Sequence, residues 1–130
     1  GGKTVAMFAV PGAFTPTCSN QHMPGYVQHA ASIREKGVDT IVCVSVNDAF
    51  VMDAWGKDQD AGGNIMMVGD GNGEFTKAIG LEMDGSGFGL GTRSLRYSMI
   101  VRDGVVDTLN IESNPGEAVD SGAENLMSQL

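Results

Sequence analysis

Residues 3–20 read KTVAMFAVPGAFTPTCSN, and the order of signals within them sets the expectation for the whole fold. Lys3 to Val10 is an apolar run of strand length, far too short to span a bilayer. Pro11-Gly12 ends it, and AFTPTCSN then supplies two turn formers and several residues able to cap a helix. A strand, a turn and a helix are therefore expected in succession. Met23, Tyr26, Val27, Ala30, Ala31 and Ile33 recur at helical spacing, and Lys36-Gly37 has the basic last turn and the glycine that stop a helix. Pro24 falls inside this pattern and predicts a kink or a late true start.

Working outward, VDTIVCVSV (residues 38–46) reads as a central strand buried on both faces. Asn47-Asp48 should cap a second helix, AFVMDAWGKDQD (49–60), with Phe50, Val51, Ala54 and Trp55 on its inner face. Asn64 to Gly69 is a third strand and Gly73 to Gly80 a short helix. Leu95–Arg102 and Val105–Ile111 form a hairpin about Asp103-Gly104, the strongest short-range turn signal in the chain. Asp120 or Ser121 should cap the last helix, AENLMSQL (123–130). The glycines at Gly62-Gly63, in 69–74 and in 85–91 mark loops. The order β-α-β-α-β-α-β-β-α predicts an α/β sandwich whose early strands pair in parallel and whose late hairpin is antiparallel.

The 130 residues, 42% of them hydrophobic, fit one domain over 1–130 with a real core. A net charge of −8 with scattered Lys and Arg repels phosphate backbones and anionic lipid, so neither nucleic acid nor membrane is an expected partner. The opening GGKTV has no secretory signal pattern, although a chain that starts on Gly1 leaves organellar targeting open. Two cysteines are too few for a disulfide scaffold and suit a reducing cytoplasm, where both thiols are free for chemistry.

Most catalytic motifs fail. The 85–91 run never completes GxGxxG, no GxxxxGK[ST] or GxSxG occurs, and Phe75 and Leu81 break the calcium-loop pattern begun at Asp70. Cys18 stands out because it follows a strand and a proline-bearing turn and falls in the first turn of a helix. Backbone N–H groups there favour an anion, and the thiolate is the nucleophile. The plainer reading makes it a small buried hydrophobe. Gln21 excludes CxxC and Pro24 excludes the arginine of a cysteine phosphatase. His22, at i+4 from Cys18, could contribute half a metal site, but no second ligand pair is available. As a general base it lacks an evident orienting partner, which favours a packing or hydrogen-bonding role.

PGAFTPTC (residues 11–18) has the form PxxxTxxC, and with Ser19, His22 and Pro24-Gly25 it resembles the peroxiredoxins of the Prx5, or plant type II, subfamily. SVNDAFV (45–51) with Trp55-Gly56, DGNGEF (70–75) and RSLRYS (93–98) look like that subfamily in the same order, so the likeness spans nearly the whole chain. It implies a thioredoxin-like α/β fold, a central mixed sheet flanked by helices. Family members usually carry some thirty residues ahead of the strand at Val5, so the chain resembles a member without its N-terminal β segment.

The resemblance implies a thiol peroxidase with no metal or prosthetic group, reducing hydrogen peroxide and organic hydroperoxides through a sulfenic acid on Cys18. Negative charge develops on the leaving oxygen, and prearranged donors stabilise it. Those donors are expected to be the Thr15 hydroxyl, bridging sulfur and peroxide, and the Arg93 guanidinium, with Arg96 nearby as the alternative cation. Backbone N–H groups at Thr17 and Cys18 would complete the pocket, and Pro11 would shield the thiolate from bulk water. Read without the family, Thr15 is a cap or turn residue and Arg93 an exposed cation. Cys43 looks like the resolving thiol of plant-type relatives, although so apolar a strand ordinarily buries a cysteine inertly. Asp120 holds the place of the late resolving cysteine of other relatives. Thioredoxin, glutaredoxin or glutathione is the implied reductant, and a homodimer the implied assembly. The alternative is a thioredoxin-like redox-sensing or binding module in which Cys18 oxidises once without rapid turnover.

Overall fold

The computed structural model describes residues 3–61, 63–113 and 117–130; the expected loop position Gly62 lies outside them. A five-stranded sheet organises the chain. Its strands are β1 (Thr4–Ala9), β2 (Thr40–Ser45), β3 (Met66–Gly69), β6 (Tyr97–Arg102) and β7 (Val105–Ile111), in the order β3-β2-β1-β6-β7. β1, β2 and β3 are parallel, whereas β6 runs antiparallel to β1 and β7 antiparallel to β6. Helices α1 (Met23–Glu35) and α2 (Ala49–Asp58) make the two parallel crossovers. Both steps move the same way across the sheet, so crossovers of one hand place both helices on one face.

The period-two alternation of β1 divides the core. Ala6 and Phe8 face α1, α2 and the terminal α4 (Ala123–Ser128), packing with Tyr26, Ile33, Ile41, Trp55 and Leu126. Ala9 and Met7 face the other way, with Val44, Leu81, Tyr97 and Met99. β2 is buried along nearly its whole length, as a strand covered on both faces must be. Asp103 and Gly104, at φ 51° and 79°, make the tight hairpin turn, a left-handed pair that an Asp-Gly dipeptide tolerates.

Several expectations need correction. Phe50 is 88% exposed and Ala54 is exposed too, while α2 buries Met52, Trp55 and Gly56. Asp48 caps α2 by accepting from the Val51 N–H, within the Asn47-Asp48 pair expected to do so, and the face opposite Phe50 turns inward against the core. Ala31 is exposed for the same kind of reason, since α1 buries the stripe Met23, Tyr26, Ala30, Ile33. Pro24 marks the late true start that was one of the two expectations: it lies in the first turn of α1, which begins at Met23. A π turn over Cys18–His22 precedes α1, and the Met23 N–H reaches the Cys18 carbonyl, so the wider turn ends just where proline has no N–H to offer. The short α3 (Glu74–Ala78) is held by the Asp70 carboxylate, which accepts from the Phe75 and Thr76 N–H groups. Gly122, not Asp120 or Ser121, occupies the N-cap of α4. A small antiparallel pair, β4 (Glu82–Asp84) with β5 (Thr92–Ser94), lies where only loop was expected. Three-residue strands carry too little periodicity to read.

Candidate active site

The segment from Val10 to Thr17 is pinned where β1 and β2 end. The Ser45 hydroxyl donates between Asn47 Oδ1 at 2.7 Å and the Val10 carbonyl at 3.0 Å, and Asn47 Oδ1 also accepts from the Ala13 N–H at 3.0 Å. Phe14 turns the chain with φ 64°. The Ser19 N–H donates to the Thr15 carbonyl at 2.9 Å, so the N–H groups of Thr17 and Cys18 precede that bond, at the positive end of the helix. Cys18 opens the π turn and is 0% exposed. Trp55 Nε1, from α2, donates to Ser19 Oγ at 3.0 Å and ties the turn to the helix beside it.

Among the described residues, the guanidinium of Arg96 reaches the sulfur. Its Nη2 donates to Cys18 Sγ at 3.2 Å, and its Nη1 donates to His22 Nδ1 at 3.0 Å. Sheet register explains the choice. Tyr97 pairs with Ala9, which brings residue 96 beside the turn that leaves β1. Tyr97 packs on the face away from the helices while Ile100 packs beneath them, so Arg96, sharing the parity of Ile100, points toward Cys18. Arg93 sits in β5 opposite Met83, and its Nε donates to the Leu90 carbonyl at 2.9 Å. It borders the site instead of entering it. A methyl group on Gly12 would come within 3.0 Å of Thr15 Cγ2 and 3.4 Å of Arg93 Nη1, so glycine there lets the 11–17 loop and Arg93 approach each other.

The remaining expected residues divide. Pro11 is buried and Thr15 and Thr17 half-buried. The Thr15 hydroxyl donates to the Gly12 carbonyl at 2.6 Å, not to the sulfur, which leaves its lone pairs to accept. Cys43 is buried on β2, paired with Phe8, and is a free thiol. Burial, and then the charge of Cys18, push the Cys43 thiol well above its ordinary value. Among the described residues no group of three or more His, Cys, Asp or Glu side chains is placed to hold a metal ion, and no helix is long and apolar enough to cross a membrane.

Sequence reasoning missed the groups behind Arg96. His22 Nε2 lies 3.0 Å from the Ser121 carbonyl, which also accepts from the Tyr26 hydroxyl at 2.7 Å. Ser121 N and Oγ donate to Glu112 Oε1 at 2.8 and 3.0 Å. The i+4 spacing of Cys18 and His22 was a visible signal for one of these. Glu112 and Ser121 carried none, since contacts between distant segments leave no local pattern.

Comparison with known proteins adds three findings. The family described as Redoxin matches residues 1–127. Among curated relatives, the chain is 51% identical to Peroxiredoxin-2E, chloroplastic, of Arabidopsis thaliana over 99% of its own length and 56% of the relative's; it thus spans little more than half of that protein. It is 47% identical to Peroxiredoxin-2B of the same plant, over 99% of its length and 79% of the relative's. Among solved structures, reduced Prx3 of Vibrio vulnificus in complex with hydrogen peroxide superposes with a TM-score of 0.93 at 56% identity, over 99% of this chain and 82% of that one.

Proposed function

The chain belongs to the redoxin family and, within it, to the peroxiredoxins of the Prx5, or plant type II, kind; from that membership and the surroundings of Cys18 we propose that it is a thiol peroxidase acting on hydrogen peroxide and small organic hydroperoxides. The observation that carries this reading is the 3.2 Å contact between Arg96 Nη2 and Cys18 Sγ in the first turn of a helix. A fixed cation within hydrogen-bond distance of the sulfur stands where negative charge is present during attack.

In the proposed reaction the thiolate attacks one peroxide oxygen. The S–O bond forms as the O–O bond breaks, the sulfur gives up two electrons, and the departing hydroxide or alkoxide takes a proton to leave as water or alcohol. Arg96 stands beside the developing charge as a fixed cation. Thr15 Oγ1, whose proton goes to Gly12, accepts a hydrogen bond from the entering hydroperoxide, and the Thr17 and Cys18 N–H groups face the same oxygens. Pro11 limits water at the sulfur. Because Cys18 is 0% exposed, the oxidant has to be small enough to pass the 11–17 loop.

The sulfenic acid is then attacked by an external thiol, with loss of water, and a second thiol frees Cys18 from the mixed disulfide. Glutathione, glutaredoxin or thioredoxin fits that role better than Cys43, which burial keeps protonated. A reducing compartment is part of the same reading. Steady-state NADPH oxidation with a thioredoxin or glutaredoxin system and peroxide tests it. Turnover that vanishes in Cys18→Ser is the expected result; turnover surviving in that variant overturns the reading, and a single stoichiometric burst in the native protein favours redox sensing.

A further inference from the structure

Behind the reacting pair lies a closed chain of hydrogen bonds whose members are all buried: His22 at 1%, Arg96 at 3%, Glu112 at 7% and Ser121 at 0% exposure. The Ser121 carbonyl can only accept, so His22 Nε2, 3.0 Å away, carries the imidazole proton. The Arg96 guanidinium can only donate, so His22 Nδ1, 3.0 Å from Nη1, offers its lone pair. Both partners thus demand one neutral tautomer. An imidazolium would turn an N–H toward a guanidinium N–H.

The far end of the chain is equally determined. Glu112 Oε1 accepts from both Ser121 N and Oγ, and the Glu112 N–H donates to the Arg96 carbonyl at 2.9 Å. Glu112 therefore holds the main chain of Arg96 and, through Ser121, the ring that orients its guanidinium. Tyr26 adds a second donor to the same Ser121 carbonyl and stacks on Phe8 with ring centroids 3.9 Å apart, while His22 lies 5.0 Å from the Phe8 ring. The imidazole is thus packed beside the Phe8 and Tyr26 rings and bonded at both nitrogens.

Resting on the peroxidase reading for its purpose, we propose that His22 is a positioning residue: as a neutral imidazole aimed by Ser121, it holds the Arg96 guanidinium on the Cys18 sulfur. The imidazole is no proton carrier in this arrangement. Burial, and next the positive charge of Arg96, lower its pKa to about 3, with the Ser121 carbonyl working weakly the other way. Arginine is flexible along its stem, so a second fixed acceptor decides whether Nη2 stays at the sulfur or swings away.

Alkylation of Cys18 by iodoacetamide, read at that residue by peptide mass, reports the thiolate without any peroxide. Two variants separate positioning from packing. In His22→Gln the carboxamide can donate to Ser121 and accept from Arg96; in His22→Leu the volume is kept and both bonds go. The alkylation rate at pH 6 is expected to fall about tenfold or more in His22→Leu, as for loss of one hydrogen bond to a charged group, and to stay within about threefold in His22→Gln. At pH 10, above the range of ordinary thiols, the three proteins should react alike. An unchanged pH 6 rate in His22→Leu, or equal losses in both variants, overturns the proposal. Should His22→Leu fail to fold, the native protein and His22→Gln decide it. Their alkylation profiles should share one ionisation, and an inflection near pH 6.5 present only in the native protein would make His22 a titrating group and refute its positioning role. If this pattern holds while peroxide turnover is absent, the positioning role stands and the peroxidase reading falls.

Discussion

Arg96 donates to Cys18 across 78 positions of sequence, at 3.2 Å, because Tyr97 is paired with the last residue of the central strand, Ala9. That pairing, more than the presence of an arginine, makes the thiol a candidate nucleophile. An arginine three residues earlier belongs to a different small sheet and bonds Leu90.

The two arginines are therefore expected to differ sharply on substitution. Arg96→Met should lower kcat/KM for hydrogen peroxide by about a hundredfold or more, the usual loss when one fixed donor is removed from developing negative charge. Arg93→Met should lower it by less than about tenfold, since its Nε donates to the Leu90 carbonyl at the rim. Steady-state peroxide consumption by the two variants checks the ranking, and the reverse order would return the catalytic cation to Arg93.

Acid should loosen the fold through His22. Burial, and then the charge of Arg96, lower its pKa to about 3 in the folded chain, against 6.5 for an ordinary imidazole. Above pH 6.5 neither state binds the proton and the full stability is present; as pH falls from 6.5 toward 3 the unfolded chain takes up a proton that the folded chain refuses, and stability is lost. The loss should be roughly 1 kcal/mol per pH unit. Urea unfolding between pH 7 and pH 5, above the range where most carboxylates titrate, measures it, and His22→Gln should flatten the slope. A native midpoint that does not move over that range would show His22 free to protonate in the fold.

Cys43 should be dispensable for turnover. Its thiol is buried beside Phe8 and held protonated by that burial, so Cys43→Ala is expected to keep peroxide reduction within about twofold when an external thiol is supplied, while losing on the order of 1 kcal/mol of stability through the small cavity it leaves. Peptide mapping after one equivalent of peroxide checks the same point from the other side. A Cys18–Cys43 disulfide in the native protein would make Cys43 the resolving thiol after all.

Local signals carried much of this. Strand, proline turn and helix follow one another within residues 3–20, and the strand at Thr40–Ser45 and the Asp103-Gly104 hairpin stand close to where their residue types place them. Inner faces were harder to read: Phe50 was expected inside and points out, although the helix starts and is capped where expected, because Met52 and Trp55 form an equally apolar stripe about half a turn away and only packing against the sheet chooses between the two. The strand expected from Leu95 to Arg102 also held a usable clue, since period two puts Arg96 on the side of Ser98 and Ile100. Nothing in the residues themselves said which side the helices would cover.

The amino-acid order alone determined that Cys18 opens the first helix after the first strand, since strand, turn and helix signals there are contiguous and act over a few residues. The tertiary structure decided which arginine meets that sulfur, that His22 is buried between that arginine and Ser121, and that Cys43 is sealed. Those depend on register between strands far apart in the chain and on removal of charge from water, and both come into being only when the sheet closes and the helices cover it.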